Sequence, residues 1–195
     1  GSTYKGVQTG NFGHLAAMSF NGNKTITTGG GGAILTNDLE LAIKAKHLTT
    51  TSKVPHAWDF VHDEIGFNYR MPNVNAAIGV AQLEQLPEFL AKKRRLAKAY
   101  SIAFADIEGL TFFEEPDFAR SNYWLNLILL DEDKAEKLER VLGEVNEKGF
   151  MCRPAWRPMH QLDMYANCPA MDLSVAENLA GRLINIPSSP TLIDR

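Results

Sequence analysis

The chain has 195 residues, 45% of them hydrophobic and 22% charged, with a formal net charge of −3. That size and balance suit a soluble protein with a real core, in one domain or two small ones. They argue against a broad nucleic-acid or membrane surface, and no apolar run approaches the ~20 residues of a membrane span.

Residues 1–13 are punctuated by Gly6, Gly10 and Gly13 and read as irregular connections around a short strand. Leu15–Met18 and Ala33–Thr36 then read as two short buried strands. Between them run Ser19-Phe20-Asn21-Gly22-Asn23-Lys24 and Thr27-Thr28, followed by four glycines, Gly29 to Gly32. A lysine held between buried strands is desolvated, which lowers its pKa and frees the amine to attack a carbonyl. Ser19, at a strand end, offers a hydroxyl to a phosphate. A serine five residues before such a lysine points to an aldehyde cofactor that carries a phosphate, pyridoxal phosphate (PLP). The alternative at this point is a surface lysine on a glycine-rich loop. A P-loop is excluded, because Lys24 precedes the glycines instead of following them. A dinucleotide-binding turn is excluded too, because the glycines lead into a strand and not a helix.

Asn37 or Asp38 caps a helix whose apolar positions Leu39, Ala42, Ile43 and Ala45 fit a 3.6-residue period, ending near Leu48. Thr49–Met71 is a long polar stretch, expected to be a functional or interface loop. His56 and His62 on it read as packing or hydrogen-bonding groups. Pro72 suits a first helical turn, and Ala76, Ala77, Val80, Ala81, Leu83 and Leu86 form an apolar stripe of small residues. After Pro87 a second helix is expected over 88–106, and its run Lys92-Lys93-Arg94-Arg95 reads as a solvated face.

From Gly109 the pattern changes. Leu110–Phe113 and Tyr123–Leu130 read as strands. Asp131 caps a helix with Ala135, Leu138, Val141, Leu142 and Val145 on one face, and Gly149 ends it. Phe150–Arg153 is a third strand, so the order strand, strand, helix, strand describes a small α+β domain. Residues 153–169 are loop-rich, Leu173–Leu183 is a short helix, and Asn185-Ile186-Pro187 is an extended end. Cys152 and Cys168 form neither a disulfide framework nor a metal-ligand spacing. Reduced thiols in a cytoplasmic protein and no metal site are therefore expected.

The lysine segment, together with Asn68-Tyr69-Arg70-Met71-Pro72-Asn73, Ser121-Asn122-Tyr123-Trp124-Leu125-Asn126, Arg153-Pro154-Ala155-Trp156 and Asn185-Ile186-Pro187-Ser188-Ser189, resembles the DegT/DnrJ/EryC1/StrS sugar aminotransferases. These are PLP enzymes of fold type I that act on nucleotide-linked keto-sugars. The combination is most similar to the branch that aminates UDP-4-keto-6-deoxy-N-acetylhexosamine on the way to legionaminic-type nonulosonic acids. The resemblance implies an α/β fold: the C-terminal part of a large PLP-binding domain over 1–87, a linking helix over 88–106, and a small α+β domain over 107–195, incomplete at its end.

By the same resemblance Lys24 is the catalytic, cofactor-bearing lysine, and Ser19 binds the cofactor phosphate. Asn68 donates to the phosphate of the other subunit in a homodimer with shared sites. Relatives that dehydrate sugars carry histidine where this chain keeps Lys24, so amino transfer is implied, with glutamate as the amino donor. Tyr123, Trp124, Arg153, Trp156 and His160 lie in segments that resemble the sugar-nucleotide side of the cleft. Arginine pairs with diphosphate and aromatic rings stack on bases or sugars. If Tyr123 and Trp124 lie in a strand, only one of them faces the cleft. Family members are about twice as long as this chain, which implies a piece of the enzyme that lacks the acid at the pyridine nitrogen and the stacking ring. An inactive fragment that folds and dimerises without cofactor is the rival reading.

Overall fold

The computed structural model describes residues 1–194. They fall into two compact units, Gly1–Phe89 with Asp117–Ser121, and Leu90–Pro116 with the described residues from Asn122 onward.

The first unit begins with a hairpin of β1 (Thr3–Tyr4) and β2 (Val7–Gln8), Thr3 opposite Gln8. Its two-residue turn, Lys5-Gly6, has positive φ at both positions (48° and 81°), the twist that matches a tight antiparallel hairpin. Next come β3 (Ala16–Ser19) and β4 (Gly32–Leu35), antiparallel with Ala16 opposite Leu35 and Ser19 opposite Gly32. Helix α1 (Leu39–Thr49) starts at Asp38, whose carboxylate accepts from the N–H groups of Glu40 (2.9 Å) and Leu41 (3.1 Å), so Asp38 and not Asn37 is the cap. The 49–71 stretch is not a plain loop. It contains a small hairpin, β5 (Lys53–Val54) against β6 (Val61–His62). Two β-branched valines facing each other across a polar connection suffice to pair these short strands.

Helix α2 (Asn73–Phe104) is a single element and runs from the first unit into the second. Pro87 stands inside it, so the expected break after Pro87 does not occur. A proline removes one helical hydrogen bond; here inward-facing residues on both sides of Pro87 hold the helix in place, as described below.

The first unit has almost no core of its own. Ile26 is its only buried apolar side chain among the described residues. Met18, Ile34 and Leu35 are exposed, which corrects the expectation of buried strands. Trp58 and Ile65 are 85% and 84% exposed. The expected stripe of small residues on α2 is also turned outward: Ala76, Ala77, Val80, Ala81 and Leu83 are exposed.

The second unit is built around a four-stranded antiparallel sheet. Its strands are β7 (Leu110–Phe112), β9 (Asn126–Leu130), β10 (Arg153–Pro154) and β11 (Leu183–Ile186), in the order β10-β11-β9-β7. The intervening strand β8 (Ala119–Arg120) belongs to the first unit, where it pairs with β1. In β9, Asn126, Ile128 and Leu130 alternate inward, the period of two that a half-covered sheet requires. Ile128 and Leu130 pack with Phe112, Ile184, Ile186, Cys152 and, from α2, Ala97. A 3-10 stretch (Glu132–Lys137) leads into α3 (Leu138–Glu147), whose Leu138, Val141, Leu142 and Val145 cover this core. Asp131 precedes the 3-10 turn without a side-chain cap bond. At the other end Gly149 takes φ 86°, and the Phe150 N–H donates to the Val145 carbonyl at 3.0 Å, the closure expected where glycine ends a helix.

Several expected elements move. Strand β9 starts at Asn126 and not Tyr123, because Tyr123 has φ +46° and leaves the extended region. Strand β10 is Arg153–Pro154 and not 150–153, since Phe150 is consumed by the helix closure. Helix α4 is only Ser174–Ala180. The segment read as a short extended end is β11, an inner strand whose Ile184 is 1% exposed. The run at 92–95 is not a solvated face either. Lys93 is 3% exposed, and Arg94 is half-buried and bonded through both terminal nitrogens to Glu115. No helix among the described residues is long and apolar enough to cross a membrane.

Candidate active site

Lys24 lies in the loop between β3 and β4, and backbone hydrogen bonds close that loop on itself. The Phe20 N–H donates to the Gly31 carbonyl (3.0 Å), and the Thr28 N–H donates to Phe20 O (3.1 Å). The Thr27 hydroxyl donates to the same carbonyl at 3.0 Å and accepts from the Gly29 N–H at 2.9 Å. The Lys24 N–H donates to Asn21 O (3.0 Å), which makes residues 21–24 a turn with the lysine at its end. Lys24 is half-buried, because most residues of the flanking strands are exposed and do not enclose it. Ser19 is exposed at the end of β3, and its hydroxyl oxygen accepts from the Asn21 N–H at 3.3 Å.

The glycines are needed at this point for two reasons. Gly29 and Gly31 take φ 80° and 82°, which L side chains rarely adopt. At Gly32 a Cβ would collide with the Met18 carbonyl oxygen across the strand pair.

Helix α2 fixes the loop from behind. The Asn75 side-chain amide donates to Thr28 O at 2.6 Å, and the Thr27 N–H donates to Gln82 Oε1 at 3.3 Å. Between these two turns lies Gly79, where a Cβ would sit 2.9 Å from the Thr28 methyl. Thr28 is 2% exposed. Asn75, Gly79 and Gln82 are spaced four and three apart and so share one helix face. No apolar stripe marks these positions in the sequence, because the face that grips the lysine loop is polar and small.

The remaining first-unit candidate, Asn68, is exposed and pairs with Thr50 as an isolated antiparallel bridge. His56 and His62 are hydrogen-bonding groups: the Asp59 N–H donates to His56 Nδ1 (2.9 Å), and His62 Nδ1 lies 2.7 Å from Thr51 O. His47, Asp63 and Glu64 bring their ligand atoms within 4.8 Å of one another. Lys44 Nζ already supplies a cation to Glu64 at 2.5 Å, and His47 Nε2 is 2.6 Å from Asp63. The bond from His47 holds the Asp63 carboxyl below its usual range. We read this group as a network of hydrogen bonds, with the Lys44–Glu64 ion pair, that ties the 63–64 segment to α1. An open hollow of about 710 Å³ lies between the β3–β4 pair and α1, bordered by Met18, Ile34, Ala42 and Tyr69, but Ser19 and Lys24 do not line it.

In the second unit the structure brings two of the five expected substrate residues together. Trp124 and Trp156 stack with ring centroids 6.1 Å apart and planes at 24°. Tyr123 lies against the core, with Arg94 over its ring at 5.5 Å. Burial pushes the Tyr123 phenol up, and the bond to Glu115 raises the Arg94 guanidinium further. Tyr123 and Trp124 lie in the turn before β9, so the alternation argument does not apply to them. Arg153 Nη1 donates to Asn146 Oδ1 (3.1 Å) and Cys152 O (2.9 Å), and His160 Nε2 is 2.7 Å from Glu177.

The profile of the DegT/DnrJ/EryC1/StrS aminotransferase family matches residues 1–195. A GDP-perosamine synthase of Escherichia coli O157:H7 is 39% identical over 193 residues, covering 98% of this chain and 51% of that protein. A more distant relative, the UDP-4-amino-4,6-dideoxy-N-acetyl-beta-L-altrosamine transaminase of Campylobacter jejuni, is 29% identical over 189 residues, 96% of this chain and 50% of its own length. Among solved structures, Helicobacter pylori PseC, an aminotransferase involved in the biosynthesis of pseudoaminic acid, superposes with a TM-score of 0.92 at 26% identity, covering 98% of this chain and 52% of that one. The chain thus spans about half the length of the proteins it matches. The likeness supports the α/β fold expected from the sequence.

Proposed function

From a chain that belongs to the DegT/DnrJ/EryC1/StrS aminotransferase family, we infer the lysine-bearing half of a PLP-dependent aminotransferase that transfers an amino group, from glutamate, to the keto carbon of a nucleotide-linked 4-keto-6-deoxy sugar. The observation that carries this reading is the Lys24 loop: a lysine on the turn that follows Ser19, in a loop braced by α2 through Asn75 and Gln82. The donor set suits the cofactor, with a primary amine for its aldehyde and an exposed hydroxyl at a strand end for its phosphate. When bound, PLP supplies the electron sink that makes the substrate carbon acidic.

In this reading Lys24 Nζ holds the cofactor and then moves the proton at the reacting carbon. Ser19 Oγ binds phosphate, and the partner subunit's Asn68 adds a second donor. The exposed Trp58, Ile65, Phe67 and Tyr69 around Asn68 give that segment a reason to dock on a second copy. Trp124 and Trp156 bind the base or sugar face of the substrate, with Tyr123, Arg153 and His160 bordering the same segments. Two relatives carry GDP- and UDP-linked sugars in their names, which supports a nucleotide-linked amino sugar as product; we assign that product to surface polysaccharide or nonulosonic acid synthesis. Free Cys152 and Cys168 thiols fit a reducing, cytoplasmic setting.

The test is retention of PLP's visible absorbance after desalting, in the wild type and in Lys24→Ala. Retained colour that disappears in Lys24→Ala supports the assignment. Retained colour of equal strength in both proteins refutes it.

A further inference from the structure

Among the described residues Lys93 is the one buried lysine, and the proposed reaction gives it no task. It projects from α2 in phase with buried Leu96 and with Ala97, Tyr100 and Phe104, which face the core of the second unit. Its ammonium donates to the Ser188 carbonyl at 2.8 Å and, more weakly, to the Trp124 carbonyl at 3.4 Å. Both acceptors are neutral, and no carboxylate among the described residues pairs with it. An ammonium buried on these terms works against stability, and burial pushes its pKa down to about 8.

The two carbonyls belong to segments that must be held together. Residues 122–125 turn sharply before β9: Tyr123 has φ +46°, and the Trp124 N–H donates to Asn122 Oδ1 at 2.9 Å. Ser188 follows β11, and its hydroxyl oxygen accepts from the Asn126 N–H at 2.7 Å. The Asn126 amide is itself 1% exposed with neither polar atom paired. Ser188 is thus held by both the Lys93 ammonium and the Asn126 N–H, and the same ammonium reaches the turn that carries Trp124. The Trp124 ring meets Trp156, which is 69% exposed.

We propose that Lys93 is a positioning residue: by tying Trp124 and Ser188 together from inside the unit, it presents the Trp124–Trp156 stack as one preformed platform for the planar base of a nucleotide. The proposal rests on the aminotransferase reading for its ligand class, but its readout involves neither Lys24 nor PLP. Pre-ordering two indole rings removes part of the ordering penalty of binding, so loss of the clamp weakens base binding about tenfold.

The experiment measures the exciton signal of the paired tryptophans by circular dichroism, and quenching of tryptophan fluorescence by GDP and by UDP. It compares wild type, Lys93→Met, Lys93→Gln, Trp124→Ala and Leu96→Ala. Lys93→Met keeps the stem and removes the buried charge, so it is expected to melt no lower than wild type. It should lose most of the exciton signal, as Trp124→Ala does, and bind the nucleotide about tenfold more weakly. Lys93→Gln keeps one amide donor and should fall between. Leu96→Ala lowers the melting temperature by opening the same helix face, yet should leave signal and affinity in place. The proposal is overturned if Lys93→Met keeps both, if Leu96→Ala loses them as completely as Lys93→Met, or if neither nucleotide quenches the wild type.

Discussion

Burial of Lys93 makes the stability of the second unit depend on pH in a direction opposite to that of a salt-bridged lysine. Its ordinary pKa of 10.5 falls to about 8 in the fold. Between those values the unfolded chain binds more protons than the folded one, so stability increases as pH rises through that window. The limiting slope is about 1.4 kcal/mol per pH unit. Integrated between pH 8 and 9, where the folded-state lysine finishes losing its proton, the gain is about 1 kcal/mol. Higher pH is less clean. Burial raises the Cys152 thiol above its ordinary 9.0 and the Tyr100 and Tyr123 phenols above 10.0. Each of these groups favours its neutral form in the fold, so each removes stability as pH climbs past its ordinary value.

The assay is urea unfolding followed by tryptophan fluorescence at pH 7, 8 and 9, in a Trp58→Phe background so that the signal comes from Trp124 and Trp156. From pH 8 to 9 the wild type should gain about 1 kcal/mol relative to Lys93→Met. Lys93→Met should also be the more stable protein at pH 7. Equal pH slopes in the two proteins would show that Lys93 keeps its ordinary pKa and that the burial argument is wrong.

Other perturbations address other parts of the chain. Gly79→Val drives a branched side chain into the Thr28 methyl, 2.9 Å from the Cβ position; we expect a loss of about 1–3 kcal/mol and weaker PLP retention with Lys24 intact, read by urea melts and visible absorbance. Ile184→Ala opens a cavity at an inner strand and should lower the stability of the second unit by about 2–5 kcal/mol in the same melts. Ile65→Lys puts a charge into an exposed apolar segment and should shift sedimentation toward monomer without lowering the melting temperature of the second unit; unchanged association would remove that segment from the dimer contact.

The local chemistry of this protein was legible in the residue order. The Asp38 cap, the helix closure at Gly149, the four glycines that let the chain double back beside Lys24, and the resemblance carried by the lysine and Asn-Tyr-Arg motifs all act through neighbours a few residues away. Short-range sterics and hydrogen bonding decide such features, and the sequence displays them directly. What tertiary structure alone decided lies wherever a residue's partner is distant in the chain. Pro87 should end a helix by local rules, yet α2 continues because contacts in both units hold it. The face of α2 that matters in the first unit is Asn75, Gly79 and Gln82, which meet a loop some fifty residues away. The run at 92–95 reads as four solvated charges, but helical phase turns Lys93 inward, where carbonyls 31 and 95 residues distant receive it. Burial of a charged group is a property of the packed unit, because only packing removes the water that would otherwise keep it at the surface.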